Sequence, residues 1–83
     1  MDENLHDELI VNIREISIKV GGILDTEKCL IRKSGMKYHV DLHAVVDGTI
    51  SVKEGHELAH KLKDKLLLEI ESLGNVLIHI EPN

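Results

Sequence analysis

The sequence is nearly free of aromatic residues. It has no Trp and no Phe, and Tyr38 is the single aromatic side chain among 83 residues. Because aromatic side chains each bury a large apolar area, a core without them must be assembled from Leu, Ile, Val and Ala. A chain of this length buries only about 60% of the surface that its unfolded form exposes. We therefore expect one small domain that a bound metal or a second copy would help to stabilise.

Cysteine, long apolar runs and basic residues are also scarce, and each shortage argues against a class of protein. The single Cys29 cannot form an intrachain disulfide, which fits a reducing compartment. No apolar run approaches the ~18 residues of a membrane helix, and no signal segment begins the sequence, so we expect the chain as given to be soluble. Ten basic residues against 15 acidic ones give a net charge of −5. That balance disfavours a nucleic-acid partner and favours a cation as ligand.

Apolar periodicity predicts an amphipathic first helix that Asp2 and Glu3 begin and Gly21-Gly22 ends. Its apolar stripe is Leu5, Leu9, Ile13, Ile16 and Val20. A strand with a bend or irregular lead-in follows over residues 23–32, and Ser34-Gly35 is typical of a turn. Residues 37–47 alternate between apolar and polar side chains, which predicts a second strand paired with the first as a hairpin.

A capping box predicts where the second helix begins, because Ser51 and Glu54 are spaced for reciprocal hydrogen bonds. Its predicted apolar stripe is Val52, Ala59, Leu62, Leu66, Ile70 and Leu73. Gly74 is placed to end this helix, and a last strand runs from about Asn75 to Glu81. The order helix, strand, strand, helix, strand predicts an α+β fold, a two-layer α-β-β-α-β domain close to a ferredoxin-like unit, with two helices on one face of a three-stranded sheet.

Histidine is abundant, with six in 83 residues. At period two, His79 and Glu81 lie on the same side of the last strand, and His43 lies on the polar side of the second strand. If these strands are close in the sheet, the three side chains reach one ion, and such a donor set suits zinc, manganese, iron(II), cobalt or nickel better than calcium or magnesium. His56 is placed to approach them from a helix end. The alternative is a solvated polar face without a ligand.

The segment His56-Glu57-Leu58-Ala59-His60 also fits the H-E-x-x-H pattern of zinc proteases. Such a site needs a third ligand and a substrate cleft, for which a domain of this size has little room. We expect a solvent-facing His60. The sequence contains no nucleophile–base pattern, glycine-rich phosphate loop or redox cysteine pair, so we expect no enzyme.

Four motifs in order cover nearly the whole sequence. They are Arg32-Lys33-Ser34-Gly35, Val40-Asp41-Leu42-His43, Ser51-Val52-x-Glu54-Gly55-His56-Glu57-x-Ala59 and Val76-x-Ile78-His79-Ile80-Glu81-Pro82. With this set the chain resembles the C-terminal cytoplasmic domain of cation diffusion facilitator transporters, the zinc-transporter dimerisation domain. Met1-Asp2 resembles the junction where such a domain leaves the last membrane helix.

The resemblance implies a fold related to metallochaperones, a two-fold homodimer, and divalent cations bound at the dimer cleft. Zinc is the usual ion, with manganese, iron, cobalt, nickel and cadmium as further candidates. By position, His43, His56, His79 and Glu81 match the family's metal ligands. Glu27 stands where a histidine often supplies one more ligand, and Cys29 is an alternative to it.

We therefore expect residues 1–83 to form a single cytoplasmic domain of a cation efflux transporter in the cell membrane, without its membrane-spanning part. The domain would sense cytosolic metal and dimerise. One alternative is a stand-alone metallochaperone-like metal-binding or interaction module. Another is a small H-E-x-x-H zinc hydrolase.

Overall fold

The computed structural model describes residues 3–83, with side chains described from His6 onward. Two helices and three strands follow in the predicted order: α1 (Glu3–Ser17), β1 (Asp25–Ser34), β2 (Lys37–Val46), α2 (Val52–Glu69) and β3 (Leu73–Pro82). Two predictions fall outside the described residues: that Asp2 begins the first helix, and that Met1-Asp2 resembles the junction with a membrane helix. Within residues 3–83, neither helix has both the length and the apolar composition that crossing a membrane requires.

The sheet has the order β1-β2-β3, so β2 is the central strand. β1 and β2 are antiparallel and form the predicted hairpin, with Gly35 and Met36 in its loop. Gly35 has a φ of 63°, which a residue with a side chain rarely adopts. β3 pairs with β2 in parallel, and α2 supplies the crossover between them.

Both helices cover one face of the sheet, as the alternation predicts. The largest fully buried apolar side chains of the core come from both layers: Ile13, Val40, Leu42, Leu62, Leu66 and Val76. The predicted α+β two-layer fold is confirmed. No element within residues 3–83 covers the other face of the sheet, where Leu30 and Leu77 are 60% and 49% exposed.

The end of α1 differs from the prediction. The helix ends at Ser17, whose hydroxyl donates to the carbonyl of Ile13 at 2.7 Å. The chain then tightens into a 3₁₀-type turn, in which the amide of Val20 donates to the carbonyl of Ser17 at 3.0 Å. Val20 is buried, as the apolar stripe requires, although it lies outside the helix. The glycine pair therefore follows a turn rather than capping the helix directly.

The start of α2 is confirmed. The hydroxyl of Ser51 accepts from the Glu54 amide at 3.0 Å, and the Ser51 amide donates to the Glu54 carboxylate at 2.9 Å. These two bonds satisfy donors that the first helical turn leaves without partners. The prediction that Val52 belongs to the core is wrong, because its side chain is 91% exposed.

The end of α2 also differs. Gly74 does not cap the helix: α2 ends at Glu69, Ile70 has extended backbone angles, and β3 already begins at Leu73. A Cβ atom at Gly74 would lie 2.8 Å from the Cβ of Lys37. Gly74 therefore allows the start of β3 to approach β2 closely, which is a role that adjacency to a helix in sequence does not reveal.

Candidate metal centre

The register between the two parallel strands brings two histidines together on the uncovered face of the sheet. His43 of β2 pairs with His79 of β3. Their imidazole rings are stacked, with centroids 4.5 Å apart and planes 21° apart. Period-two alternation predicted that both side chains lie on this face, and the structure confirms it.

Glu81 completes a group of three. It lies two residues beyond His79 on the same strand, and its Oε2 atom accepts a hydrogen bond from Nδ1 of His43. The two side chains are 23% and 35% exposed, so the contact is partly shielded from water. The bond to His43 is the main reason that the pKa of Glu81 is lowered, followed by a hydrogen bond to Glu27.

A β-bulge places Glu27 beside this group. Thr26 pairs with Ala44 and Cys29 with Leu42, so Glu27 and Lys28 together stand opposite His43 alone. A hydrogen bond to Glu81 and repulsion between the two carboxyl groups raise the pKa of Glu27. The sequence indicated an irregular lead-in at this point, but the register of the bulge could not be obtained from it.

Cys29 faces away from this group. It pairs with buried Leu42 and packs against the core on the helix side of the sheet. Burial raises the pKa of its thiol to about 11, so the thiolate that binds metals is scarce at neutral pH. Between the two alternatives left open by the sequence, the structure places Glu27, and not Cys29, with the histidines.

The structure does not bring His56 to the same group. His56 lies exposed on α2, and its Nε2 atom is 3.1 Å from Nε2 of His60, the next histidine along the helix. His60 faces solvent, as predicted. His39 is on the sheet face but is paired with Asp41, at 3.1 Å between Nε2 and Oδ1. The prediction that His56 lies on the second helix is confirmed, whereas its contact with His60 was not predicted.

The donor chemistry of the sheet-face group fits a divalent cation. It offers two imidazoles, from His43 and His79, and two carboxylates, from Glu27 and Glu81. Because Nδ1 of His43 donates to Glu81, its Nε2 atom keeps the lone pair that a metal requires. Within the described residues, however, no three His, Cys, Asp or Glu side chains converge on a common point. One chain therefore does not by itself hold three converging donors, and its imidazoles and carboxylates lie on one open surface.

Comparison with known proteins identifies the family. Residues 5–83 match the family model described as "Cation efflux protein, cytoplasmic domain". The chain belongs to this family. It is a family of transporter domains and not of enzymes, and the exposed His56 and His60 of the H-E-x-x-H segment lie apart from the sheet-face group.

Two relatives carry names that concern metals. Metal tolerance protein C1 of Arabidopsis thaliana is 30% identical over 70 residues, which are 84% of this chain and 15% of that protein. Manganese efflux system protein MneP of Bacillus subtilis (strain 168) is 21% identical over 82 residues, 99% of this chain and 28% of that protein. The chain therefore spans less than a third of the length of these relatives.

Solved structures of MamM-CTD share the fold. One is 18% identical with a TM-score of 0.90, covering 94% of this chain and 99% of that one. Variants of the same domain include a nickel form and a copper form, each 17% identical with a TM-score of 0.89. The nickel form covers 93% of this chain and 98% of its own, and the copper form 94% and 98%.

Proposed function

We propose that this chain is the metal-sensing and dimerisation domain of a divalent-cation efflux transporter. The observation that supports it best is the group formed by His43, His79, Glu81 and Glu27 on the uncovered face of the sheet. Its imidazole and carboxylate donors suit a borderline divalent ion. A bound ion would neutralise the repulsion between the two carboxyl groups, whose basic neighbours within the described part of the chain include His43 and Lys28.

Dimerisation follows from the incompleteness of the site. A single chain offers ligands from one side only, and the same uncovered face on a second copy would supply the missing ones. Each chain has a net charge of −5, so two copies repel when their acidic faces approach. Cations bound in the cleft would offset that repulsion and favour a closed homodimer. The shift toward the closed form can be only as large as the metal's preference for it.

Zinc is the ion we propose, because two imidazoles with carboxylates form a common zinc donor set. Manganese, iron, cobalt, nickel and cadmium are compared in the same experiments, and the name of MneP gives manganese particular interest. His56 remains a predicted fifth ligand, which would have to reach the cleft from α2. In the complete transporter, the partner of residues 1–83 would be a membrane-spanning domain in the cell membrane.

Calorimetry with zinc at neutral pH tests the site. We expect the unmodified domain to bind zinc and His79→Ala to weaken binding at least about ten-fold, since even outer partners of a metal site matter this much. Cys29→Ala is the matched control, because Cys29 lies on the opposite side of the sheet. Absence of zinc binding, or an unchanged zinc affinity after His79→Ala, would contradict the proposal that the sheet-face group binds zinc.

Small-angle scattering tests the closing step. We expect a more compact dimer with zinc than without it, and the His79→Ala variant to show no such difference. Identical profiles of the unmodified domain with and without zinc would contradict metal-induced closure while leaving the binding site itself untouched.

A further inference from the structure

The pair His56 and His60 lies on α2, apart from the four side chains of the sheet-face group. The two residues are one turn apart on the exposed side of α2. Their rings are nearly perpendicular, at 78°, with centroids 4.5 Å apart. Their Nε2 atoms approach to 3.1 Å, so both ring nitrogens are within reach of one ion.

That separation matches the spacing of two nitrogens on one metal ion. With metal–nitrogen bonds of about 2.0–2.1 Å, neighbouring ligands are ~2.9 Å apart in octahedral geometry and ~3.3 Å apart in tetrahedral geometry. The observed 3.1 Å lies between these values. A hydrogen bond between two neutral imidazoles gives a similar distance, and a cation would take the place of the shared proton.

The helix holds this pair in place. Side chains four residues apart are neighbours on a helix surface. The capping box fixes the start of α2, and buried Gly55 and Leu62 on either side of the pair pack the helix against the rest of the fold. Binding therefore needs no change of the backbone and no second chain, which reduces its entropic cost.

We propose that His56 and His60 form a second cation site on α2, which binds zinc, copper(II) or nickel(II) in a single chain and leaves the remaining positions to water. Imidazole is a suitable ligand for these ions. Lys63 borders the same depression, and its positive charge opposes the bound cation. The site does not rest on the proposed cleft function. An ion held here would occupy His56 and withdraw it from the cleft.

The test uses the full chain with the sheet-face imidazoles removed by His43→Gln and His79→Gln. Titration with Zn²⁺ alone in a calorimeter should show about one ion per chain, and adding His60→Gln should weaken binding at least about ten-fold. Gln retains a hydrogen-bonding group at the two strand positions, and its good helix propensity suits position 60, so the fold should be unaffected. No Zn²⁺ binding to the double variant, or binding that His60→Gln leaves unchanged, would overturn the proposal.

Two further variants separate a chelating pair from histidine content. His60→Gln combined with Lys61→His keeps the number of histidines but moves the second one off the face of His56, so binding should stay weak. Lys63→Gln should instead strengthen binding about two- to five-fold by removing an exposed like charge. Restored binding in the first variant, or weaker binding in the second, would contradict the pair.

If the double variant does not fold, the imidazole nitrogen spectra of the unmodified chain decide. Zn²⁺ should shift the Nε2 signals of His56 and His60 together. A chain saturated with Zn²⁺ in which both signals are unchanged would overturn this site. The cleft assignment fails on different evidence, namely an unchanged affinity after His79→Ala, so the two failures are distinguishable.

Discussion

Glu27 combines an unfavourable contact with Glu81 and a proposed role as a metal ligand. Hydrogen bonding to Glu81 and repulsion from it raise the pKa of Glu27 above its ordinary value of 4.5. The ionised form is therefore less favourable in the folded chain than in the unfolded one. This cost is present at neutral pH and disappears as the pH falls through the raised pKa. A cation between the two carboxylates would remove the same cost.

We therefore predict that Glu27→Gln has opposite effects on stability and on metal binding. Without metal, the melting temperature should rise slightly at pH 7, and the difference should vanish in acid once Glu27 is protonated. Zinc affinity should fall about ten-fold. Thermal melts and calorimetry measure the two effects. Asp64→Asn is the control, because it removes one exposed carboxylate on α2, apart from this group, and should change neither measurement. A Glu27→Gln variant that binds zinc normally would remove Glu27 from the ligand set.

Cys29 gives a second prediction for a single side chain. With its pKa raised from 9.0 to about 11, the folded chain holds about a hundred-fold less thiolate near pH 8 than the unfolded chain. Alkylation by iodoacetamide, followed by mass spectrometry, should be slower by about that factor, and guanidinium should restore the ordinary rate. Saturating zinc should leave the rate unchanged, because Cys29 faces the core. Protection by zinc would instead indicate that Cys29 is a ligand.

The raised pKa of Cys29 also predicts that the stability of the fold declines as the pH rises through about 9 to 11.

At the scale of elements, the start of β3 differs most from the prediction, because Gly74 lies in this strand and does not end α2. Gly74→Ala would place a Cβ atom 2.8 Å from the Cβ of Lys37, so β3 must shift away from β2. We expect a loss of about 1–3 kcal/mol, which corresponds to a fall in melting temperature of ~4–8 °C per kcal/mol. Gly21→Ala is the matched control, since a Cβ there has no neighbour within 4 Å. It should be neutral or slightly stabilising. If both variants melt alike, Gly74 is not required for the close approach.

The predictable and unpredictable elements differ in what determines them. The start of α2 depends on Ser51 and Glu54, which interact with each other across one turn. The sequence alone was therefore enough to predict where this helix begins. The place of Gly74 depends on the approach of β3 to β2, which local patterns do not contain. The site divides in the same way: period two placed His43, His79 and Glu81 on one face. The family resemblance indicated Glu27 or Cys29, and only the register of the β-bulge distinguishes them. His56 contacts a neighbour on its own helix instead.

At the scale of the whole molecule, the net charge of −5 should oppose the proposed dimer. Two copies that meet through the uncovered, carboxylate-bearing face would repel each other, because like charges approach. Salt screens this repulsion, since the Debye length falls from about 10 Å at 0.1 M salt to about 3 Å at 1 M. Metal in the cleft would cancel the same repulsion by direct neutralisation. Salt and metal should therefore act on one term of the association free energy, and each should diminish the effect of the other.

This gives a prediction for association measured by sedimentation. In the metal-free domain, raising sodium chloride from 0.1 to 1 M should strengthen the dimer, whereas the zinc-loaded domain should respond less. The Glu27→Gln variant reduces the repulsion by a different route, so its metal-free dimer should also depend less on salt. Magnesium at the same ionic strength is the control for charge screening without imidazole binding, since it prefers oxygen ligands. A metal-free dimer that weakens in salt, or equal salt dependence with and without zinc, would show that the carboxylate-bearing faces do not meet in the dimer.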